Sequence, residues 1–143
     1  MHMVIRFYRV GDFFYKKNMR FLAKIFWVIN RVLFSCDIGI GACIGKNVGF
    51  YHNGLGVVVH PRAKIGEGCS VYQNVTIGGN GKEQSKNGVP VVAENVFIGA
   101  GSVLMGPIKI GENSIIGANS VINSNVPPGS VVAGNPAKIV AKK

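Results

Sequence analysis

Residues 92–127 read VAENVF IGAGSV LMGPIK IGENSI IGANSV INSNVP, which is six consecutive blocks of six residues. Each block opens on an aliphatic residue, and its fifth residue is small or aliphatic. A period of six fits neither the 3.6-residue repeat of an amphipathic helix nor the two-residue alternation of a half-buried strand. It is the period of the hexapeptide parallel β-helix, in which each block forms one face of a triangular coil. We therefore predict an all-β fold for this part of the chain.

The same period extends towards the N-terminus and gives thirteen blocks in all. The earlier blocks open on Ile38, Ile44, Phe50, Val59, Ile65, Val71 and Ile77. Three blocks make one turn of about 18 residues, so we expect roughly four coils. The opening residue of each block should point inward and stack on its equivalent in the next coil. Glycine follows it in seven blocks, which we attribute to a need for positive φ.

Two interruptions break this period. Nine residues, not six, separate Phe50 from Val59, and fifteen separate Ile77 from Val92, so that residues 80–88 bulge out of the coil. The first break directly follows His52. Because loops on a rigid scaffold tend to carry function, we expect the site at these breaks.

Residues 1–35 form a different segment, for which we predict a short N-terminal amphipathic α-helix over residues 12–34. Asp12 is a candidate N-cap. Apolar residues recur at helical spacing, and basic residues mark the opposite face: Lys17, Arg20, Lys24 and Arg31. Such a helix packs its apolar face on the next domain or subunit, or it lies on an anionic membrane surface. The remaining residues, 36–143, form the β-helix domain and its C-terminal tail.

Charge and cysteine content narrow the class of protein. The formal net charge of +10 favours an anionic partner. The β-helix has no stripe of basic and aromatic residues, which argues against nucleic acid. Cys36, Cys43 and Cys69 are odd in number and lack C-x-x-C spacing, as expected for reduced thiols in a cytoplasmic protein. We recognise no signal peptide and no run of about 20 apolar residues that could span a membrane.

His52 is the strongest candidate for a catalytic base. Imidazole suits the deprotonation of a hydroxyl near neutral pH. Asp37 lies fifteen residues upstream, a little less than one coil, so the two side chains could meet from adjacent coils and the carboxylate could orient the imidazole. The alternatives are a turn carboxylate and a partly buried surface histidine. His60 precedes Pro61 and has the sequence context of a structural residue, and two histidines in the β-helix are too few for a zinc site of three.

Two glycine-rich segments are weak matches to nucleotide-binding motifs. Residues 78–82 lack the first glycine and the Ser/Thr of a phosphate-binding loop, and residues 99–101 lack the third glycine of a dinucleotide fingerprint. We interpret both as turns of the repeat, whose exposed N–H groups could still meet a coenzyme.

With these motifs the chain resembles the hexapeptide-repeat acyltransferases, most closely the serine acetyltransferase and polysaccharide O-acetyltransferase branch. The likeness covers about residues 36–141 and rests on Asp37-Ile38, residues 51–58, 72–82, 98–101 and 126–138. It implies a left-handed coil and a homotrimer with active sites between neighbouring β-helices. It also implies acetyl-CoA as co-substrate and no metal.

The resemblance also implies roles for individual residues. His52 would be the catalytic base and Asp37 its partner, with Tyr51 and Asn53 at the acceptor. The coenzyme A groove would be lined by glycine-rich turns and the tail: Gly78, Gly79, Gly81, Lys82, Gly99, Ala100, Gly101, Gly117, Ala118, Pro136 and Lys138.

The chain departs from the serine acetyltransferases at two places. Tyr51 stands where they carry Asp before the catalytic His, and Gly88-Val89-Pro90 stands where they carry Arg-His-Pro. That arginine would bind the serine carboxylate, so its absence favours a sugar or a cell-surface polysaccharide precursor as acceptor. A serine O-acetyltransferase of cysteine biosynthesis, an enzyme for another acceptor, and a non-catalytic β-helix scaffold remain the alternatives.

Overall fold

The computed structural model describes residues 3–81 and 88–142. Two helices come first, α1 over Met3–Lys16 and α2 over Arg20–Phe34. The prediction of one helix beginning at Asp12 is therefore wrong. Asp12 lies inside α1, where its carboxylate pairs with Lys16 at 2.7 Å, and the chain turns at Asn18, whose φ of 61° is left-handed.

Fifteen short strands follow within the described part of the chain. They are β1 (Asp37–Ile38), β2 (Cys43–Ile44), β3 (Gly49–Phe50), β4 (Val58–Val59), β5 (Lys64–Ile65), β6 (Ser70–Val71), β7 (Thr76–Gly78), β8 (Val91–Val92), β9 (Phe97–Ile98), β10 (Val103–Met105), β11 (Lys109–Ile110), β12 (Ile115–Ile116), β13 (Val121–Ile122), β14 (Ser130–Gly134) and β15 (Ala137–Lys142). A 3₁₀ turn over Tyr51–Gly54 follows β3.

The strands form three parallel sheets, one for each side of a triangular coil. Sheet A has the order β1-β4-β7-β10-β13, sheet B has β2-β5-β8-β11, and sheet C has β3-β6-β9-β12-β14, to which β15 adds an antiparallel edge. In sheet A the register pairs Val58 with Thr76 and Val103 with Val121, one coil of 18 residues apart. This is the parallel β-helix that the repeat predicts, with the left-handed coil that the family resemblance implies.

The core is a stack of the residues that open the blocks. All thirteen are buried, and the most exposed, Ile44, retains 8% of its surface. Helix α1 extends this core with Val4, Ile5 and Tyr8. The Tyr8 hydroxyl donates to the Ala42 carbonyl, and the Arg9 guanidinium donates to the carbonyls of Ile44 and Gly45 at 3.0 and 2.6 Å. Because an open coil end exposes apolar surface and free carbonyls, α1 serves as its cap.

The glycine that follows the opening residue in seven of the blocks has a different role from the one expected. Left-handed φ occurs two residues later, at asparagines such as Asn47 and Asn95 or at glycines such as Gly68. The earlier glycine is needed because adjacent coils approach closely. A Cβ on Gly66 would lie 2.6 Å from the carbonyl carbon of Ala93 in the next coil.

The cysteines are free thiols. Burial, reinforced by the neighbouring Asp37 carboxylate, raises the pKa of Cys36 to about 12, and burial also raises the pKa of Cys69. Both thiols are therefore protonated and unreactive near neutral pH, whereas Cys43 is exposed. In the described ranges, neither helix has the length and hydrophobicity to cross a bilayer.

Candidate active site

Two corners of the triangle carry the residues of interest. The C–A corner joins sheet C to sheet A and is formed in successive coils by residues 51–57, 72–75, 99–102 and 117–120. The A–B corner joins sheet A to sheet B and includes residues 39–42, 60–63 and 106–108, together with the long excursion that leaves β7 at Gly78. These corners decide which candidate residues share one edge of the molecule.

His52 lies at the C–A corner of the first coil with its side chain exposed. His52 and Asn53 have left-handed φ values of 53° and 52°. Non-glycine residues rarely adopt this region, and asparagine, aspartate and histidine adopt it more often than the others. Within the described coils from Asp37 onward, His52 is the one left-handed residue that is neither glycine nor asparagine. Backbone strain of this kind concentrates at functional sites, because surrounding structure must enforce it.

An aromatic ladder accompanies His52 along this corner. The Tyr51 ring stacks on Tyr72 with 4.6 Å between centroids, and Tyr72 lies 5.0 Å from the Phe97 ring. The His52 imidazole is 6.5 Å from Tyr72. Tyr51 and Phe97 each keep 37% of their surface exposed, so the ladder offers flat apolar surface beside the imidazole.

Asp37 lies on β1 and is bound by helix α2. Its Oδ1 accepts a hydrogen bond from Trp27 Nε1 at 2.7 Å, and its Oδ2 accepts one from the Arg31 guanidinium at 2.8 Å. The structure records no hydrogen bond between the described side chains of Asp37 and His52. The direct contact expected from their spacing is therefore not made in one protomer.

The candidate coenzyme residues of the C-terminal half form one continuous strip. The Gly99 N–H donates to the Ile116 carbonyl at 2.9 Å, and a Cβ on Gly99 would lie 2.6 Å from the amide nitrogen of Ala118. Gly117 abuts Ala133 of β14. Ala133 pairs with Lys138 of β15, and Pro136 lies in the turn between these strands. The turns 99–101 and 117–118 and the tail hairpin are thus brought together beside the C–A corner.

The remaining coenzyme candidates lie elsewhere. Gly78, Gly79 and Gly81 belong to the A–B corner, and Lys82 falls outside the described residues. Within one protomer, His52 and Gly78 therefore occupy different corners of the triangle.

A cavity of about 470 Å³ lies between α2 and sheet A. Its lining includes Lys24, Trp27, Asp37, His60 and Gly78, and we call it the α2 cavity. Sequence reasoning assigned His60 a structural role and missed Lys24 and Trp27 as lining residues, because no local pattern reveals which helix residues face a sheet. Across residues 3–81 and 88–142, no three His, Cys, Asp or Glu side chains form a group that could hold a metal ion.

Comparison with known proteins gives consistent matches over nearly the whole chain. The family model described as bacterial transferase hexapeptide (six repeats) matches residues 90–124. The serine acetyltransferase of Mycobacterium tuberculosis is 39% identical over 135 residues, which cover 94% of this chain and 58% of that protein. The serine acetyltransferase of Helicobacter pylori is 35% identical and is covered to 78%.

Solved structures agree with the sequence matches. A serine acetyltransferase from Vibrio cholerae superimposes with a TM-score of 0.91 at 36% identity, over 98% of this chain and 54% of that one. A serine acetyltransferase in complex with CoA gives a TM-score of 0.87 at 36% identity, over 96% of this chain and 55% of that one. These matches extend over the helical pair as well as the coils. The chain spans between half and two thirds of the length of the first curated relatives.

Proposed function

The chain belongs to the serine acetyltransferase branch of the hexapeptide-repeat acyltransferases, and on that basis we propose that it transfers the acetyl group of acetyl-CoA to a hydroxyl of a small acceptor. The observation that carries the proposal is the exposed His52 imidazole, held in a left-handed turn at the same corner as the glycine strip. The strip has small residues and exposed backbone, which suit a long pantetheine arm.

The proposed reaction is a direct transfer. His52 takes the proton of the acceptor hydroxyl as its oxygen attacks the thioester carbonyl. Backbone N–H groups stabilise the resulting oxyanion, a contribution of about 3 kcal/mol for one donor. The tetrahedral intermediate collapses to the acetyl ester and expels the coenzyme A sulfur, which receives the proton from the imidazolium. The chemistry requires neither a metal nor a covalent acyl-enzyme.

We further propose that the complete site is assembled between copies in a homotrimer. His52 and the proposed oxyanion donors at Gly78 and Gly79 occupy different corners of one protomer. In a ring of three copies, the A–B corner of one protomer can meet the C–A corner of the next. A closed cyclic arrangement repeats that contact at each interface.

For the acceptor, the comparisons favour L-serine over the sugar that the sequence analysis placed first. The first curated relatives are all named serine acetyltransferases, and structural neighbours include a Neisseria gonorrhoeae serine acetyltransferase in complex with serine. A sugar hydroxyl is the second candidate. It is supported by the exposed aromatic ladder of Tyr51, Tyr72 and Phe97 beside His52, because the apolar face of a sugar ring packs well on such rings.

We expect L-serine to be acetylated at least ~10 times faster than free sugars or nucleotide sugars. The measurement is loss of the acetyl-CoA thioester absorbance with each acceptor in turn, which avoids the thiol reagents that exposed Cys43 would consume. Turnover on sugars alone would replace serine by the second candidate. Absence of turnover, together with no thermal stabilisation by acetyl-CoA, would instead indicate a scaffold.

We also propose that α2 rests on an anionic membrane surface, on the cytoplasmic side. Phe21, Ile25, Val28 and Val32 form one exposed apolar row, in which Phe21 and Val32 keep 77% and 74% of their surface. Exposed Arg20 directly precedes Phe21 on the same helix. Residues 3–34 contain seven arginines and lysines and one aspartate. A second copy would therefore meet like charge, whereas an anionic bilayer complements both the basic charge and the apolar row.

We expect the protein to float with vesicles of phosphatidylcholine and phosphatidylglycerol and to remain in solution with phosphatidylcholine alone. Replacing Phe21 and Val32 together with serine should weaken binding by about tenfold or more, because two apolar side chains leave the lipid. The matched control replaces the exposed pair Ile139 and Val140 with serine and should bind normally. Equal flotation of both variants, or an assembly that only the helix variant loses, would contradict membrane contact.

A further inference from the structure

The α2 cavity is lined by residues of the predicted site and by basic side chains that have no role in the proposed acetyl transfer. Asp37, which the sequence analysis paired with His52, and Gly78, a proposed oxyanion donor, line it alongside Lys24 and His60. Its volume of about 470 Å³ falls within the range of small-molecule sites. The cavity is therefore large enough for an amino acid or for part of a nucleotide sugar.

The charge balance of this cavity favours an anion. Both oxygens of Asp37 are already bonded, and the Arg31 guanidinium lies 2.8 Å from one of them. The Lys24 ammonium makes no ion pair with any described residue, so it is the uncompensated charge of the lining. The other walls are largely apolar, with Ile40 and Val58 among them. An entering anion would therefore find Lys24 as its charged partner.

We propose that the α2 cavity binds an anionic group of the acceptor, a carboxylate or a phosphate, through Lys24. The proposal rests on the proposed function and names the chemical class of its substrate. Lys24 is a specificity-determining residue in this scheme. It positions the acceptor and takes no part in proton transfer.

Trp27 provides a direct test of binding, since it is the chain's single tryptophan and lines the cavity. The wild type is titrated with L-serine and with UDP-glucose, and in parallel with their uncharged-group counterparts serinamide and glucose, while Trp27 fluorescence is recorded. We expect Trp27 fluorescence to change on addition of one of the two anionic ligands, L-serine or UDP-glucose. Its dissociation constant should rise about tenfold in Lys24→Gln, the loss typical of one charge-assisted hydrogen bond.

Two further variants separate this role from a general effect on α2. Lys17→Gln removes an equally exposed lysine from the turn between the helices and should leave affinity unchanged. Lys24→Arg keeps the positive charge and should retain most of the wild-type affinity. Equal affinity of the wild type and Lys24→Gln, or no fluorescence response to either anion, would overturn the inference.

The acetyl-transfer assay keeps the two proposals distinguishable. In that assay Lys24→Gln should raise the KM for the acceptor about tenfold and leave the KM for acetyl-CoA and kcat nearly unchanged. Lys24-dependent anion binding without any transfer would refute the proposed function alone. Transfer with an unchanged acceptor KM in Lys24→Gln would refute the anion site alone.

Discussion

Replacing His52 with asparagine will reduce acetyl transfer by a factor on the order of 10³, as expected for loss of a general base. Asparagine is the informative substitution because six corner asparagines in the described part of this β-helix already adopt left-handed φ, among them Asn47 and Asn119. The variant therefore removes the imidazole and preserves the turn. Alanine at the same position would lose both the base and the preference for that backbone conformation.

The measurement pairs the rate of thioester loss with the thermal shift caused by acetyl-CoA. We expect His52→Asn to be inactive and to be stabilised by acetyl-CoA like the wild type. Asn47→Ala serves as the control, since Asn47 lies at the B–C corner with φ of 55° and its loss should lower stability without a comparable loss of rate. Near-native turnover of His52→Asn would remove His52 from the chemistry.

The coils were predictable because every six-residue block carries the pattern of residue types that forms one side of the triangle. A buried residue such as Ile98 recurs every six positions, and the next coil has the same six-residue spacing. Even the two breaks could be read as insertions, since the period resumes at Val59 and at Val92 with the same residue types. The sequence therefore located both the stack and the corner that carries His52.

The helical pair was harder to predict because its boundary lacks the usual signals. Neither glycine nor proline marks the turn at Lys17 to Met19, and the helical spacing of apolar residues continues across it. Three residues, 17–19, separate α1 from α2, and Asn18 among them is left-handed. The resulting hairpin closes the coil end through α1 and places α2 against β1 of sheet A.

Contacts between α2 and sheet A explain the features of the site that sequence reasoning could not supply. The bonds of Asp37 to Trp27 and Arg31 depend on how a helix packs on a sheet, and no spacing rule encodes that. The α2 cavity has the same origin. Coil spacing alone placed Asp37 next to His52, whereas packing commits both its oxygens to the helix.

Gly66→Ala should destabilise the protein by about 3 kcal/mol or more, because the new methyl group would enter the backbone of the next coil. Its Cβ would lie 2.6 Å from the carbonyl carbon and oxygen of Ala93 and 2.8 Å from the amide nitrogen of Glu94. None of these backbone atoms can move without disturbing the parallel pairing of β5 with β8. The measurement is the thermal midpoint at equal protein concentration, which should fall by many degrees.

Gly78→Ala is the matched control for this prediction, because a Cβ there has only Thr76 Cγ2 within 4 Å, at an ordinary 3.6 Å. Its midpoint should stay close to the wild type even if the substitution slows transfer at the proposed site. If Gly66→Ala kept the wild-type midpoint, close coil approach would not be what requires glycine at the second position of that block. If both variants melted early, glycine would be required there for backbone conformation, the role first inferred from the repeat.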